Sequence, residues 1–462
     1  MRQGIIAAIS TPPGKGGVAI IRLSGEGALE LVCGVFHPKS KRALRDYSPR
    51  TQVYGYIKDK DEILDDGLAT YFEPGHSYTG EETVELSIHG GVLVTRRVLE
   101  LLFSHGAIPA SRGEFTRLAF INGRLSLSEA EAIGDLLDAE SDEQLRLSSS
   151  GARERLRSKI EEIRSGLVQL LGSVYARIDY PEEDLGDMSE EEILEALVTE
   201  RERISRLIST YRTGRAIKEG ISTVLVGKPN VGKSTLYNLL VGEDAAIVTD
   251  IPGTTRDILE RRAPLGRVLL ELTDTAGVRS GEDLDSVEKI GIARTIERLG
   301  KAELILALFE SADELDERDR EVIEAIKSAG GTKIAVITKT DSGSGNPIKG
   351  YESLFDKVIE LSAKDAPEAA IESITNAVEA LFTDEKISTS SDAIVASARQ
   401  HAALCRALGF IDSAIEAYRL GIPADAASSD IELCLGEIGQ IDGRTVSDEV
   451  VGDIFSRFCV GK

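Results

Sequence analysis

The chain has 462 residues, of which 42% are hydrophobic, and a formal net charge of −24 at pH 7. This length and composition predict several domains with real cores, and the negative charge excludes long-range attraction to nucleic acid, so any RNA contact must be local. The sequence contains no apolar stretch of membrane-spanning length, no signal peptide and no paired cysteine pattern, so we expect a cytoplasmic protein with reduced thiols and no membrane partner.

Residues 1–118 alternate short apolar segments with turns and contain one helical segment near Val92 to His105, a pattern typical of an α+β domain. A Pro/Gly-rich turn at residues 11–17 precedes the apolar segment that carries Arg22, and a later apolar segment carries Glu85. From the residues alone, both side chains are predicted to be charges on the surface of strands.

Apolar residues recur at helical spacing from Ser128 to Arg177, where Pro181 ends the run, and again from Ser189 to Tyr211. Helical spacing returns between Ile394 and Lys462. Because these stretches flank the central segment, we expect them to pack into one helical domain with that segment inserted. Their basic residues are interleaved with Glu, which favours salt-bridged solvated faces over an RNA-binding surface.

A phosphate-binding pattern opens the central segment. The apolar run Ser222 to Val226 is followed by Gly-Lys-Pro-Asn-Val-Gly-Lys-Ser at residues 227–234, and a helix is predicted from near Ser234. This spacing is that of a P-loop, in which backbone N–H groups face a polyphosphate, the lysine neutralises its outer charges, and the helix dipole adds to the attraction. The predicted nucleotide-binding residues here are Asn230, Val231, Gly232, Lys233, Ser234 and Thr235.

Magnesium ligands are expected in three places. The hydroxyl of Ser234 suits Mg²⁺, and Asp274 follows the apolar run Val268 to Thr273, where its carboxylate can hold the ion through water. The loop from Ile247 to Asp257 is interpreted as a switch, with Thr255 as a further Mg²⁺ ligand. The other nucleotide-binding residues predicted in these segments are Thr249, Asp250, Ile251, Pro252, Gly253, Thr254, Thr275, Ala276 and Gly277.

Two later segments, at the carboxyl ends of predicted parallel strands, indicate the base. Lys333 to Ile337 leads to Thr-Lys-Thr-Asp at 338–341, and Val358 to Leu361 leads to Ser362, Ala363 and Lys364. The carboxylate of Asp341 can accept hydrogen bonds from N1–H and the amine of guanine, so GTP is the predicted nucleotide, with Lys339 beside it. This resembles the guanine motifs of small GTPases, which usually have Asn where Thr338 stands, and a hydroxyl cannot replace both functions of that amide.

The chain as a whole resembles the MnmE (TrmE) family of tRNA-modification GTPases, through Asn230, the Thr249 to Asp257 loop and the segment Val287 to Gly291. The resemblance implies that hydrolysis is activated when G domains dimerise with K⁺ beside the phosphates, in place of an arginine finger. Glu288 matches the acid that positions the attacking water, although by itself it would be one carboxylate among several on a solvated helix. The implied potassium ligands are Asn230, Thr249, Ile251 and Thr254.

The resemblance also implies that the N-terminal domain binds tetrahydrofolate and mediates dimerisation. The matching folate-binding residues are Arg22, Glu85, Arg124, where the family commonly has Lys, and Lys462. The chain ends in the family's Cys-x-Gly-Lys motif, so we expect a flexible terminal thiol, Cys459, that serves as nucleophile, base or acid near the folate. Without the resemblance, Cys459 would be a small buried side chain near a frayed terminus.

The expected fold is multidomain α/β: an α+β N-terminal domain (1–118), a helical domain in two parts (119–217 and 384–462), and an inserted doubly wound P-loop G domain (218–383). The implied function is that of a homodimeric, K⁺-stimulated, Mg²⁺-dependent GTPase that forms a heterotetramer or larger complex with a flavin-dependent MnmG (GidA) partner. Together they would add a carboxymethylaminomethyl group at carbon 5 of tRNA wobble uridine, using 5-formyl- or 5,10-methylene-tetrahydrofolate. The alternative is a regulatory GTPase switch that gates RNA or ribosome-assembly binding, which has no use for folate.

Overall fold

The computed structural model describes residues 4–40, 42–179, 188–242, 260–273, 299–311, 314–341, 343 and 345–462. The chain forms two compact units. Unit 1 comprises Met1–Leu137 and Gly436–Lys462, and unit 2 comprises Asp138–Leu435. Within the described ranges, no helix has both the length and the apolar character that a membrane span requires.

Unit 1 is built on a seven-stranded sheet with the order β3-β4-β5-β6-β2-β1-β7, in which β7 alone runs parallel to its neighbour. Alternation along the strands separates its two faces: Ile21 and Leu23 are buried in the core, whereas Arg22 between them lies on the opposite face beside Glu85. The strands are β1 (Ile6–Ile9), β2 (Val18–Ser24), β3 (Phe36–Pro38), β4 (Gln52–Asp59), β5 (Glu62–Phe72), β6 (Thr83–His89) and β7 (Ile108–Pro109).

Helices cover the core face of this sheet and complete unit 1. The predicted helical segment near Val92 is confirmed as α2, whose buried Val98, Leu101 and Leu102 form one apolar stripe. Phe455 and Phe458, near the end of the chain, pack with Leu127 in a smaller core. The helices are α1 (Ala28–Cys33), α2 (Val92–Ser104), α3 (Glu114–Ile121), α4 (Leu127–Leu137) and α13 (Asp448–Ser456), with a 3-10 turn at Leu44–Asp46.

Long helices form one part of unit 2. A capping box between Ser189 and Glu192 begins α7, which packs against α6 and α11, so helices from before and after the central segment do pack together. The segment between the central domain and α11 is fastened to α7: Thr213 Oγ1 accepts from Asp384 N at 3.0 Å and Thr210 Oγ1 from Val395 N at 3.0 Å. The helices are α5 (Asp142–Leu147), α6 (Ser150–Asp179), α7 (Glu190–Lys218), α11 (Ala398–Arg419) and α12 (Ala424–Asp442), the last of which continues into unit 1.

A six-stranded sheet with the order β13-β12-β11-β8-β10-β9 forms the rest of unit 2, and only the edge strand β9 is antiparallel. Its central strands β8, β11 and β12 are mostly buried apolar runs because both faces are covered, one core lying on each side. This is the doubly wound arrangement expected from the sequence. The elements are β8 (Ile221–Val226), α8 (Lys233–Val241), β9 (Glu260–Leu265), β10 (Val268–Thr273), β11 (Leu304–Glu310), α9 (Glu317–Lys327), β12 (Thr332–Thr338), β13 (Lys357–Glu360) and α10 (Pro367–Phe382), with a 3-10 turn at Glu352–Leu354.

Gly214 of α7 lies in close contact with the backbone of the segment before α11. A Cβ there would lie 2.2 Å from the carbonyl oxygen of Val395, whereas a Cβ on Gly409 of α11 would meet nothing within 4 Å. Gly214→Ala should therefore lower the free energy of unfolding by about 1–3 kcal/mol through overpacking. Gly409→Ala should raise it by up to about 1 kcal/mol, since alanine is the better helix former.

The two variants can be compared with wild type by urea unfolding followed by far-ultraviolet circular dichroism. Equal midpoints for Gly214→Ala and Gly409→Ala would show that the contact at Gly214 is not tight in solution.

Candidate functional site

The loop between β8 and α8 has the backbone that a phosphate cradle requires. Gly227 adopts φ +152° and passes so close to β11 that a Cβ would lie 2.7 Å from the carbonyl oxygen of Leu308. Asn230 has φ 64°, in the left-handed region that Asn tolerates better than most residues, and Gly232 has φ 105° at the N-cap of α8. The helix begins at Lys233, one residue before the expected position, so its N-terminus faces the loop.

The side chain of Lys233 is held across this loop by carbonyl groups of the loop backbone. Its Nζ donates hydrogen bonds to the carbonyl oxygens of Gly227 and Lys228, each at 2.6 Å. Burial lowers the pKa of Lys233. Ser234 and Thr235 follow in the first turn of α8 with exposed side chains, so the Ser234 hydroxyl is available to a metal ion beside the phosphates.

Thr338 connects the end of β12 to the P-loop. Its Oγ1 lies 2.7 Å from the carbonyl oxygen of Val231, to which it donates, and 3.2 Å from that of Phe309. The side chain is buried, with 4% of the residue exposed. The Thr338 hydroxyl thus fixes the P-loop to the end of β12, which is separated from β8 by β11 in the sheet. The sequence did not reveal this role.

The two base-recognition segments meet at the carboxyl ends of β12 and β13, which are parallel neighbours. Ser362 Oγ donates to Asp341 Oδ1 at 2.8 Å, which joins the segments directly. Lys339 has φ 58° and its Nζ lies 2.9 Å from Glu310 Oε2. Ala363 and Lys364 follow Ser362 in the turn before α10. Both strands differ by one residue from the predicted bounds at one or both ends.

A further group of predicted site residues lies outside the described residues, and for these the assignments stay predictions. They are Thr249, Asp250, Ile251, Pro252, Gly253, Thr254, Thr255, Asp274, Thr275, Ala276, Gly277 and Glu288. Of the predicted potassium ligands, the structure therefore describes Asn230, and of the predicted magnesium ligands, Ser234.

Unit 1 contains a second polar cluster, centred on Arg22. Its Nε donates to Glu85 Oε1 at 2.8 Å, and the two side chains are 18% and 25% exposed. The guanidinium carbon lies 5.1 Å from the ring centre of Tyr78 and 5.6 Å from that of Phe115. These aromatic neighbours of Arg22 were not assigned a role from the sequence. Arg124 packs near Gly80, where a Cβ would lie 3.2 Å from its Cγ.

The chain terminus belongs to this same unit and is anchored, which corrects the expectation of a flexible tail. Val460 pairs with Arg112 in an isolated antiparallel bridge, and Gly113 N donates to the carbonyl oxygen of Cys459 at 3.3 Å. Gly461 has φ +97° and approaches β1 so closely that a Cβ would lie 2.3 Å from the carbonyl oxygen of Ile9. A glycine is therefore needed at residue 461 for the last residues of the chain to pack against β1.

Anchoring leaves the thiol accessible. Cys459 is exposed and lines a cavity of about 570 Å³ together with Phe103 and Arg112. Burial lowers the pKa of Lys462, and the nearby charge of Arg22 lowers it further, so the terminal lysine and the Arg22 cluster lie within electrostatic range. Three of the predicted folate-binding residues, Arg22, Glu85 and Lys462, are thus brought together.

The basic residues of the long helices are largely paired with acids, as the sequence predicted. Lys159 pairs with Glu162, and Arg164 with Glu161, within α6. The Arg201 guanidinium of α7 pairs with Asp412 of α11. Such exposed pairs contribute little stability each, but they neutralise the cations that an RNA surface would need.

Comparison with known proteins covers the whole chain. A family model described as the MnmE helical domain matches residues 127–459, and one described as the GTP-binding protein TrmE N-terminus matches residues 5–124. The chain is 39% identical over 468 residues to the tRNA modification GTPase MnmE of Caldicellulosiruptor saccharolyticus, with 100% of both chains covered. It is 36% identical over 461 residues to the protein of the same description from Clostridioides difficile, with 99% of both covered.

Among solved structures, Era in complex with MgGDPNP and nucleotides of 16S ribosomal RNA is 22% identical. That match covers 41% of this chain and 66% of the Era chain with a TM-score of 0.27. A TM-score at this level carries no conclusion about the present chain.

Thr338→Val tests the connection between β12 and the P-loop. The valine keeps the shape but removes the donor, and an unpaired buried carbonyl costs about 1–3 kcal/mol. We expect guanine nucleotide affinity to fall about tenfold, as measured by titration with a fluorescent GDP analogue, because each 1.4 kcal/mol corresponds to tenfold. Thr332→Val, at the other end of the same strand, is the matched control. Equal affinity in both variants would contradict a tether at Thr338.

Proposed function

The chain belongs to the MnmE family of tRNA modification GTPases, and from that membership we propose a K⁺-stimulated GTPase that modifies wobble uridine with a flavin-dependent MnmG (GidA) partner. It is a GTP hydrolase that takes part in tRNA modification. The proposed product carries a carboxymethylaminomethyl group at carbon 5 of the uridine, and the proposed one-carbon source is 5-formyl- or 5,10-methylene-tetrahydrofolate. The observation that carries the folate step is the Arg22 cluster in the same unit as Cys459.

GTP binds at the P-loop, where the backbone N–H groups of the loop and of the N-terminus of α8 donate hydrogen bonds to the phosphates. The Lys233 ammonium lies across the loop and meets the outer phosphate oxygens, while the exposed Ser234 hydroxyl suits Mg²⁺. Asp341, oriented by the hydroxyl of Ser362, accepts from N1–H and the amine of guanine. These residues account for binding, charge neutralisation and base selection within unit 2.

K⁺ beside the phosphates would supply the positive charge that an arginine finger provides in other GTPases. The Asn230 amide is suited to this role because its oxygen can coordinate a cation and its side chain is exposed on the loop. The remaining proposed ligands, Thr249, Ile251 and Thr254, and the proposed water-positioning acid Glu288 come from the family resemblance.

Folate binding is proposed at the Arg22 cluster. A pterin ring is flat and carries donors and acceptors on its edge, so the partly exposed ring of Tyr78 suits its face and Glu85 its donors. Lys462 lies within electrostatic range of Arg22, and Arg124 lies beside Gly80. These three cations suit the anionic glutamate tail of folate. Burial, followed by the charge of Arg22, lowers the pKa of Lys462, as expected for a cation held close to another cation until an anion pairs with it.

Cys459 is the residue proposed to act on a folate-borne carbon. Its thiol is exposed at a cavity and its backbone is fixed by Gly113 and by the pairing of Val460. A fixed, accessible thiol is a better nucleophile or acid for a bound ligand than one on a mobile tail, since its position need not be ordered during the reaction.

GTP hydrolysis does not form the new carbon–carbon bond in this proposal. Hydrolysis opens and closes paired G domains of a homodimer and so reshapes a complex with the flavin-dependent partner and tRNA. The competing expectation, a switch that gates ribosome assembly, is set aside because the relatives that match the full chain are tRNA modification GTPases.

Arg22→Met tests the folate proposal. Equilibrium dialysis of the full chain against labelled 5-formyltetrahydrofolate should show binding by wild type and at least about tenfold weaker binding by Arg22→Met, because the methionine fills the space without a charge or a donor. Arg97→Met is the control, since Arg97 also pairs with a glutamate of unit 1, Glu62, but on the exposed surface of α2. No binding by wild type, or equal losses in both variants, would contradict the folate site.

Asn230→Gly tests the potassium proposal. Glycine keeps the left-handed backbone that alanine would strain, so the change removes the amide alone. Wild type should hydrolyse saturating GTP on the order of tenfold to a hundredfold faster in KCl than in NaCl of equal ionic strength. The variant should bind GTP but lose this difference. Equal wild-type rates in the two salts would remove K⁺ from the account.

A further inference from the structure

Lys228 of the P-loop forms an ion pair with two aspartates of the segment that begins α9. Its Nζ lies 3.0 Å from Asp319 Oδ2 and 3.2 Å from Asp316 Oδ2. The lysine side chain is 10% exposed and that of Asp319 is 4% exposed. Asp319 lies in the first turn of α9, the helix that follows β11, so the pair joins the P-loop to a neighbouring element 91 residues away in sequence.

Helix capping does not explain why Asp319 is buried. The cap of α9 is Asp316, whose Oδ1 accepts from Asp319 N at 2.9 Å, while the reciprocal contact from Asp316 N to Asp319 is long at 3.3 Å. In α7 the residue at the same capping position, Glu192, is exposed and closes the cap from the surface. Asp319 also completes the capping box of α9, but it differs from Glu192 because it is buried and because the same Oδ2 accepts from Lys228 Nζ at 3.0 Å.

Asp319 depends on Lys228 for its charge balance. Its Oδ1 has no hydrogen-bond partner within the described parts of the chain, and Oδ2 faces the lysine. A buried carboxylate is costly unless a cation compensates it, and loss of one partner from a buried pair costs more than loss of both. The two side chains therefore act as one unit.

Lys228 transmits this anchoring to the catalytic lysine. Its side chain is fixed at α9, and its backbone carbonyl accepts a hydrogen bond from Lys233 Nζ at 2.6 Å. Rotation of the Lys228 peptide would remove one of the two acceptors that orient Lys233. Lys228 therefore connects α9 to Lys233: its side chain pairs with Asp319, and its carbonyl oxygen accepts from Lys233 Nζ.

We propose that Asp319 is a positioning residue for nucleotide binding, which holds the P-loop and Lys233 in their phosphate-binding arrangement through Lys228. Asp319 does not touch the nucleotide. The inference rests on the GTPase function stated above and extends it to a residue of α9. Loss of the pair should weaken nucleotide binding, whereas kcat at saturating GTP should change little, because the bound phosphates themselves then hold Lys233.

The test uses the full chain with Lys228→Met, Asp319→Asn, Lys228→Arg and the double variant Lys228→Met/Asp319→Leu. Titration with a fluorescent GDP analogue gives Kd, and GTP turnover gives KM and kcat. Each of Lys228→Met and Asp319→Asn should raise Kd and KM about tenfold and change kcat by less than about twofold, and Lys228→Arg should restore near-wild-type values. The double variant should bind no more weakly than the worse single variant, because the partners are coupled.

Lys327→Met is the matched control, since Lys327 pairs with Glu324 at 2.7 Å on the exposed far end of the same helix. It should leave Kd and KM unchanged. The inference would be overturned, with the GTPase function left standing, by either of two results. One is a wild-type Kd in folded Lys228→Met and Asp319→Asn, and the other is an equal loss of affinity in Lys327→Met. If a single variant does not fold, the double variant decides: weak binding supports the positioning role and wild-type binding overturns it. Failure of the wild-type protein to bind guanine nucleotide would overturn the GTPase function and this inference with it.

Discussion

The close approach of Gly227 to the carbonyl oxygen of Leu308 constrains the nucleotide site more than any other contact. With no side chain at that point, β8 can turn into the P-loop directly against β11, and the loop then lies at the carboxyl ends of parallel strands. Thr338 reaches the loop from β12, and Asp341 and Ser362 meet each other after the carboxyl ends of β12 and β13. A side chain at residue 227 would displace the loop from β11 and from Thr338.

In unit 1 the proposed folate site depends on a charged guanidinium, that of Arg22, which lies on a largely covered face of the sheet. Arg22 is tolerated there because Glu85 compensates its charge and two aromatic rings lie near its plane. The anchored terminus brings Lys462 into range and presents Cys459 at a cavity of the same unit. The proposed folate chemistry thus draws on residues from both ends of the chain, and the proposed GTP chemistry on residues of unit 2.

Much of the fold follows from local patterns in the sequence. Apolar runs located β8, β10, β12 and β13 to within about one residue, and the P-loop was found from its short-range spacing, whereas β9 and β11 were not predicted individually. Contacts between distant segments could not be found in this way, because a single hydroxyl or charge has no periodicity. The bond from Thr338 to Val231, the pairing of Lys228 with Asp319, and the seating of Gly461 against Ile9 all belong to this class. The assignments of Glu288 and of the Thr249 to Thr255 loop stay predictions.

Reconstitution of the modification reaction tests the central claim most directly. The full chain, the flavin-dependent MnmG partner, tRNA, GTP, K⁺, methylene-tetrahydrofolate and an amine donor would be combined, and the tRNA nucleosides analysed by mass spectrometry. The account predicts a modified wobble uridine that appears only when both hydrolysable GTP and the folate are present. GTP hydrolysis at the full rate, with every tRNA nucleoside unchanged, would contradict it and indicate a GTPase that acts only as a binding switch.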